Sequence, residues 1–185
     1  MAAPTPRVTS TDSPDPASRF VGVFDVLGFK NRLHHEGLAT VAAGYRDLRR
    51  QALLANRLPV VGPGLHEVWT TRLVIASDTI LVWSDDDPES VDSFLTTCGF
   101  LIGYAFNIGW LLRGGIAYGE CIMNAVDLEF LGQPIIDALL LEKRQEWIGA
   151  GLDRSCERAT SFPTLQTSDS LAQYAIPVKR RSVFQ

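Results

Sequence analysis

The stretch Arg19-Phe-Val-Gly-Val-Phe-Asp-Val-Leu-Gly-Phe-Lys30 decides the fold, because it passes from an apolar strand into a helix within a few residues. Residues 20–27 are almost wholly apolar and rich in strand-forming types, which predicts a buried first strand. Gly28 ends that strand, and the spacing of apolar residues over 30–56 predicts a helix. Asp25 lies inside the strand, where a carboxylate is costly unless something compensates its charge.

A second aspartate has the same setting. Asp78 is central in Leu73-Val-Ile-Ala-Ser-Asp-Thr-Ile-Leu-Val-Trp83, and this pattern predicts two strands joined as a hairpin at Ser77-Asp78. Two carboxylates beside small residues in apolar strands favour a shared compensator, and a divalent cation is the natural candidate. A structural ion pair or a turn aspartate is the alternative, and the sequence leaves it open.

The predicted elements follow the order β-α-β-β-α-β-β-α. After the hairpin come a helix over 89–107, a second hairpin over 110–130 that turns at Gly119-Glu120, and a helix from Gly132 to residue 147 or 148. A short strand is predicted over 174–179. This order predicts an α+β fold with a ferredoxin-like βαββαβ core, an extra hairpin, and an antiparallel sheet with its helices on one face.

Composition narrows the class of protein. A length of 185 residues fits one domain, assigned to 19–185, preceded by a Pro- and Ser-rich leader over 1–18 that we expect to be disordered. The net charge of −4 and the lack of a basic block before Lys179 argue against nucleic acid as a partner. No signal or anchor pattern is present, and three unpaired cysteines indicate buried, reduced thiols, so we expect a cytoplasmic protein that binds no membrane.

Candidate phosphate-binding groups lie close to Asp25. In the turn Val26-Leu-Gly-Phe-Lys30, free backbone N–H groups at the start of a helix form an anion site, and Gly28 permits close approach of a phosphate. A simple strand-to-helix turn with a helpful glycine remains the alternative.

Arg113, beside Gly114-Gly115, has the chemistry to hold a phosphate in a bidentate grip. Its alternative role is an ion pair with Glu120 or another acid. In the second strand, Thr70 and Arg72 share the face opposite Leu73, from which they could reach base edges. The alternative for Arg72 is a solvated edge-strand charge.

Four motifs occur in order over residues 20–148: a strand aspartate with a Gly-Phe turn, a small residue and an aspartate in a hairpin, an arginine-glycine strand, and a Gly-x-Pro helix start. In this chain they are Phe24-Asp-Val-Leu-Gly-Phe29, Ser77-Asp78, Arg113-Gly-Gly-Ile-Ala-Tyr-Gly119 and Gly132-Gln-Pro134. Together they resemble the class III nucleotidyl cyclase family.

The chain differs from the adenylate cyclases of this family at three positions, which favours another branch of the same family. Val74 occupies the position of their base-reading lysine, and Ile136 and Leu140 stand where a helix asparagine and arginine are found. The helix Ala138-Leu-Leu-Leu-Glu-Lys-Arg-Gln145 is more similar to the pyrimidine cyclases of bacterial Pycsar anti-phage systems. Within it, Arg144 is a candidate substitute for the missing arginine, and the roles of Glu142 and Gln145 stay open.

The resemblance implies an enzyme that cyclises a pyrimidine nucleoside triphosphate, with UTP favoured over CTP, to a 3′,5′-cyclic monophosphate and pyrophosphate. Two Mg²⁺ or Mn²⁺ ions would be held by Asp25, Asp78 and the Val26 carbonyl. Phosphates would be bound by the backbone N–H groups of Leu27, Gly28, Phe29 and Lys30, with Arg113 steadying the transition state.

The resemblance also implies a homodimer with shared active sites and a separate effector that responds to the cyclic nucleotide during phage infection. Three alternatives stay open: an adenylate or guanylate cyclase, a catalytically inactive cyclase-like domain that senses nucleotides, and a purely structural dimerisation module.

Overall fold

The computed structural model describes residues 13–55, 71–168 and 171–172. Thr70, the expected strand over 174–179 and residues 1–12 of the expected leader lie outside the described residues. The elements are β1 Ser13–Val26, α1 Phe29–Glu36, α2 Leu38–Ala55, β2 Thr71–Ala76, β3 Thr79–Asp85, α3 Pro88–Asn107, β4 Leu112–Asn124, β5 Glu129–Gly132, α4 Gln133–Arg144, β6 Gly149–Leu152, a 3₁₀ turn Arg154–Arg158 and α5 Phe162–Thr167.

The sheet has six strands and is mixed. Strands β2-β3-β1-β4-β5 follow one another in that order and pair antiparallel, whereas β6 pairs parallel to β4. The α+β class is confirmed and the element order is compatible with a ferredoxin-like core, but the expectation of a purely antiparallel sheet was wrong. The segment Gly149–Leu152 has no counterpart among the predicted strands, yet it pairs with β4 from Arg113 to Ile116.

Helices cover both faces of the sheet, not one as expected. Along β1, Phe20 and Phe24 point into the larger core, which is formed with α2, α3 and α5. The alternate residues Val21 and Val23 point into a smaller core beneath α4, with Trp83 and Ala138. Period-two alternation of this kind places successive side chains on opposite faces, so β1 is buried on both.

Several element boundaries differ from the sequence-based ones. The first strand begins at Ser13, so residues 13–18 of the expected leader belong to β1, with a register irregularity between Ser13 and Ala17 that accommodates the prolines. The single helix expected over 30–56 is broken at Gly37, whose φ of 80° is left-handed.

The second hairpin turns later than expected. Gly119 and Glu120 continue β4 and pair with Arg19 and Ser18, so β4 is one strand of 13 residues. The chain reverses after Asn124 instead.

Two further expectations concern burial. The apolar stretch 94–112 forms most of α3 and the start of β4, as predicted, and no helix in the described part of the chain is long and apolar enough to cross a membrane. Cys98, Cys121 and Cys156 are free and buried, as predicted.

Candidate functional site

Backbone hydrogen bonds join the ends of three strands where the two aspartates lie. The Val26 N–H donates to the Asp78 carbonyl over 3.1 Å, and Asp25 pairs with Thr79 in the β1–β3 ladder. The Leu27 N–H donates to the Leu111 carbonyl over 2.9 Å, which ties in the start of β4. Asp25 and Asp78, 53 positions apart in the sequence, therefore meet at one end of the sheet.

The hairpin that carries Asp78 is strained. Ser77 is the first of two residues between the paired Ala76 and Thr79, and its φ is 60°. Glycine is preferred there, and a side chain in this left-handed conformation costs on the order of 1 kcal/mol. Strain of this kind is often found where a neighbouring residue has a functional position, and here that neighbour is Asp78.

The charge of Asp25 is only partly compensated. Burial is the main cause that raises the pKa of its carboxyl above the usual 3.8, and the nearby Asp78 carboxylate raises it further. The positive charges of Arg113 and Lys143 act in the opposite direction without reversing the shift. Carboxylates that repel each other in a half-buried place favour a bound cation.

The available donors fit Mg²⁺ or Mn²⁺. Within residues 13–55, 71–168 and 171–172 no three His, Cys, Asp or Glu side chains cluster as a metal cage. Mg²⁺ does not need such a cage, because it is typically held by one or two carboxylates together with water and substrate phosphates. Asp25, Asp78 and the Val26 carbonyl match that pattern, and all are oxygen donors.

The start of α1 offers an anion site next to these carboxylates. Gly28 adopts a left-handed φ of 75°, no side chain caps the helix, and its first turn contains no acidic residue. A Cβ added to Gly28 would have no atom within 4 Å, so the backbone there is open to approach. Of the N–H groups proposed from the sequence, that of Leu27 is already bonded to Leu111, which leaves Gly28, Phe29 and Lys30.

Arg113 lies opposite Asp25 in the β1–β4 ladder, and its Nη2 is 3.7 Å from Asp25 Oδ2. Its closest partner is Glu142 on α4, whose Oε1 accepts from Nε over 2.6 Å and lies 2.5 Å from Nη2. Nη1 donates to the Gln145 carbonyl over 3.3 Å. The ion-pair alternative is thus confirmed, with Glu142 and not Glu120 as the acid.

The two glycines after Arg113 serve packing. A Cβ on Gly114 would lie 2.4 Å from the Phe24 ring, and one on Gly115 would lie 2.1 Å from the Ala138 carbonyl oxygen. An aromatic ring and a helix backbone therefore fill the space beside these two glycines, and no larger residue fits at either position unless they shift.

Two candidate residues do not reach the site. Arg72 pairs with Trp83 and shares the α4 side of the sheet, but it precedes the end of β2 by four residues, about 13 Å at strand rise. Arg144 is exposed and is not among the charges that act on Asp25. Val74 packs against the smaller core, as the alternation of β2 predicts.

Two residues near the site were missed from the sequence. Lys143, exposed at the end of α4, is a cation that acts on Asp25. Tyr45 is buried between Phe29 and Trp110, and its hydroxyl has no hydrogen-bond partner among the described residues. Burial, then Asp78 and Asp25, raise the pKa of Tyr45, which keeps the phenol protonated. Neither residue has a local sequence signal, because both positions follow ordinary helical spacing.

Comparison with protein-family models finds no match, and comparison with curated proteins finds no significant relative. The resemblance to class III cyclases consequently stays a prediction carried by the four motifs and by the geometry around Asp25.

Proposed function

We propose that this protein is a nucleotidyl cyclase that converts a pyrimidine nucleoside triphosphate into a 3′,5′-cyclic monophosphate and pyrophosphate. The observation that carries the proposal is the backbone-linked pair Asp25 and Asp78 directly beside the uncapped start of α1. A carboxylate pair suited to divalent cations and an anion site a few residues away are the two parts that a metal–triphosphate needs.

Each group has a distinct task in the proposed reaction. The ribose 3′-oxygen attacks the α-phosphorus, the bond from that phosphorus to the bridging oxygen of the β-phosphate breaks, and pyrophosphate leaves while the hydroxyl proton passes to solvent. Asp25, Asp78 and the Val26 carbonyl would hold the cations, which when bound supply positive charge to the hydroxyl and the leaving group. Backbone N–H groups of Gly28, Phe29 and Lys30 would orient the phosphates.

Support for a pyrimidine substrate comes from what the described residues lack. Val74 is apolar and packed against the smaller core, so no lysine is available at the position that reads purines in the adenylate cyclases. The choice of UTP over CTP rests on the resemblance alone, as do the anti-phage role and the separate effector.

A homodimer with shared active sites is part of the proposal. Ile136 and Leu140, four residues apart on α4, are 51% and 48% exposed. Exposed apolar side chains on this helix, which covers one side of the sheet, favour a protein partner. Asp25 and Arg113 share this side, so a second copy here would border the site. We propose a cytoplasmic location.

The test is to incubate purified protein separately with UTP, CTP, ATP and GTP and Mn²⁺, and to identify products by mass. We expect cyclic UMP and pyrophosphate from UTP, and no product from the Asp78→Ala variant, with its fold retained by circular dichroism. Asp92→Ala is a matched control, because Asp92 is an exposed helix residue.

The outcomes separate the remaining classes. A purine product would keep the cyclase and overturn the base assignment. Nucleotide binding without turnover would indicate a sensor domain. Unchanged product from Asp78→Ala would overturn the metal assignment.

A further inference from the structure

The end of α4 is fixed against β4 by hydrogen bonds that converge on Gln145. This side chain is fully buried, and its Nε2 donates to the Gly114 carbonyl over 2.6 Å and to the Leu141 carbonyl over 3.3 Å. Its Oε1 accepts from the Trp147 indole over 2.6 Å. With Gly115 allowing the helix backbone to touch the strand, α4 has little freedom to shift.

This anchored helix end presents Glu142 to Arg113. The Glu142 side chain is 3% exposed and its only charged partner in the described part of the chain is Arg113, which is itself 17% exposed. The contact uses Nε and Nη2, which form one edge of the planar guanidinium.

The hydrogen-bond donors of Arg113 can be counted. A guanidinium has five N–H groups. Glu142 Oε1 accepts one from Nε and lies 2.5 Å from Nη2 as an ion pair, and the Gln145 carbonyl accepts one from Nη1. Each Nη group therefore keeps at least one N–H for another acceptor, and Nη2, on the outer edge formed by the two Nη groups, is 3.7 Å from Asp25.

We propose that Glu142 is a positioning residue, which holds the inner edge of Arg113 so that its outer edge is presented to the phosphates of the substrate at Asp25. This inference rests on the proposed cyclase function and adds a residue to it. A guanidinium with one edge bound and the other open suits bidentate contact with a phosphate. The proposal also explains why two polar residues, Glu142 and Gln145, are buried at the end of α4, which packing alone does not require.

The test compares Glu142→Gln with Asp137→Asn, an acid-to-amide change earlier on the same helix. Asp137 accepts a hydrogen bond from Gln133 and lies outside the proposed site. With UTP and Mn²⁺, we expect Glu142→Gln to lower kcat about 10- to 100-fold with little change in KM, because a misdirected arginine still attracts the triphosphate but stabilises its transition state poorly. Asp137→Asn should leave both parameters unchanged.

A double-mutant cycle supplies a measurement that a merely structural role would not affect. Arg113→Ala should reduce kcat strongly in the natural background and hardly further in the Glu142→Gln background, because the two residues act as one unit. An unchanged kcat in Glu142→Gln, or losses that multiply in the double variant, would overturn the positioning role while leaving the cyclase assignment intact. A natural protein that forms no cyclic product from any triphosphate would overturn both.

Discussion

The close contact between α4 and β4 at Gly115 predicts a large penalty for a single methyl group. A Cβ at this position would lie 2.1 Å from the Ala138 carbonyl oxygen and 3.0 Å from the Glu142 backbone nitrogen. Ordinary contact begins at 3.4 Å, so Gly115→Ala forces α4 away from the sheet by about 1 Å. The obstacle is helix backbone, which cannot rotate aside as a flexible side chain does.

The magnitude follows from the cost of overpacking, about 1–3 kcal/mol for an added methyl group in a close-packed place. Gly103→Ala is the matched control, because Gly103 is in the interior of α3 and an added Cβ there has no atom within 4 Å. That control should be more stable than the natural protein by about 0.5–1 kcal/mol, since alanine loses less backbone freedom than glycine in a helix.

Urea unfolding followed by tryptophan fluorescence measures both variants, with four tryptophans as probes. The two variants should therefore differ by about 1.5–4 kcal/mol, which corresponds to about 0.8–2 M in urea midpoint at a slope of about 2 kcal/mol per M. Because α4 also carries Glu142, Gly115→Ala should lose the proposed cyclase turnover as well, whereas Gly103→Ala should keep it. A Gly115→Ala protein as stable as the natural one would refute the packing of α4 described above.

Three further predictions concern charge. Because the pKa of Asp25 in the folded protein is above 3.8, the free energy of unfolding without metal falls as pH rises from about 4 through that pKa. Asp25→Asn should therefore raise the free energy of unfolding at pH 7. The same variant should abolish stabilisation by Mn²⁺, measured by thermal shift. Lys143→Ala should raise the KM for triphosphate about two- to fivefold while Arg144→Ala does not, because, of the two, only Lys143 acts on Asp25. Equal effects of the two variants on KM would contradict the placement of Lys143 nearer the site. Burial alone would raise the pKa of Asp86, but hydrogen bonds from Ser161 and neighbouring groups hold it below 3.8. The ionised Asp86 therefore stabilises the fold above that pH, and this contribution is lost as pH falls through the folded pKa. Asp86→Asn should lower the free energy of unfolding in urea by about 2 kcal/mol at pH 7 and leave turnover unchanged.

Elements with a strong local signal could be predicted from the sequence. Helix α3 has an Asp87 N-cap that accepts from the Ser90 N–H, and a proline in its first turn, which is why its predicted bounds nearly match the observed Pro88–Asn107. The hairpin at Ser77-Asp78 was also found, because alternating apolar residues on both sides leave one place for a turn.

Elements that depend on distant partners could not be predicted in this way. Gly119-Glu120 has the composition of a turn, yet the ladder with β1 keeps it extended. The actual turn has a signal that was overlooked, since the Asn124 side chain accepts from the N–H groups of Val126 and Asp127. The position of α4 on the second face depends on Gly115 meeting Ala138, and no local pattern encodes that contact.

For the candidate site, the sequence supplied the residue types and the structure supplied the pairings. Asp25 and Asp78 were singled out because charges are costly in apolar strands, and Arg113 because a guanidinium can bind a phosphate through two hydrogen bonds. That Arg113 contacts Glu142, 29 positions later, could not be read from local spacing. This pairing also changes the interpretation of the arginine, because Glu142 and the Gln145 carbonyl already use part of its hydrogen-bonding capacity.

The contact between Arg113 and Glu142 also bears on whether the two aspartates belong to a structural ion pair or to a cation site. In a structural pair, Arg113 would neutralise Asp25 and hold its pKa below the usual value. Instead the guanidinium contacts Glu142 at 2.5 Å and approaches Asp25 only to 3.7 Å, and the pKa of Asp25 is raised. Two carboxylates, those of Asp25 and Glu142, thus share one guanidinium, while the Asp78 carboxylate acts on Asp25 from the other strand and Lys143 is exposed nearby. The negative charges of this arrangement exceed the positive charges nearby. A divalent cation bound between Asp25 and Asp78 would supply the missing positive charge, and the phosphates of a nucleotide could bind the same cation.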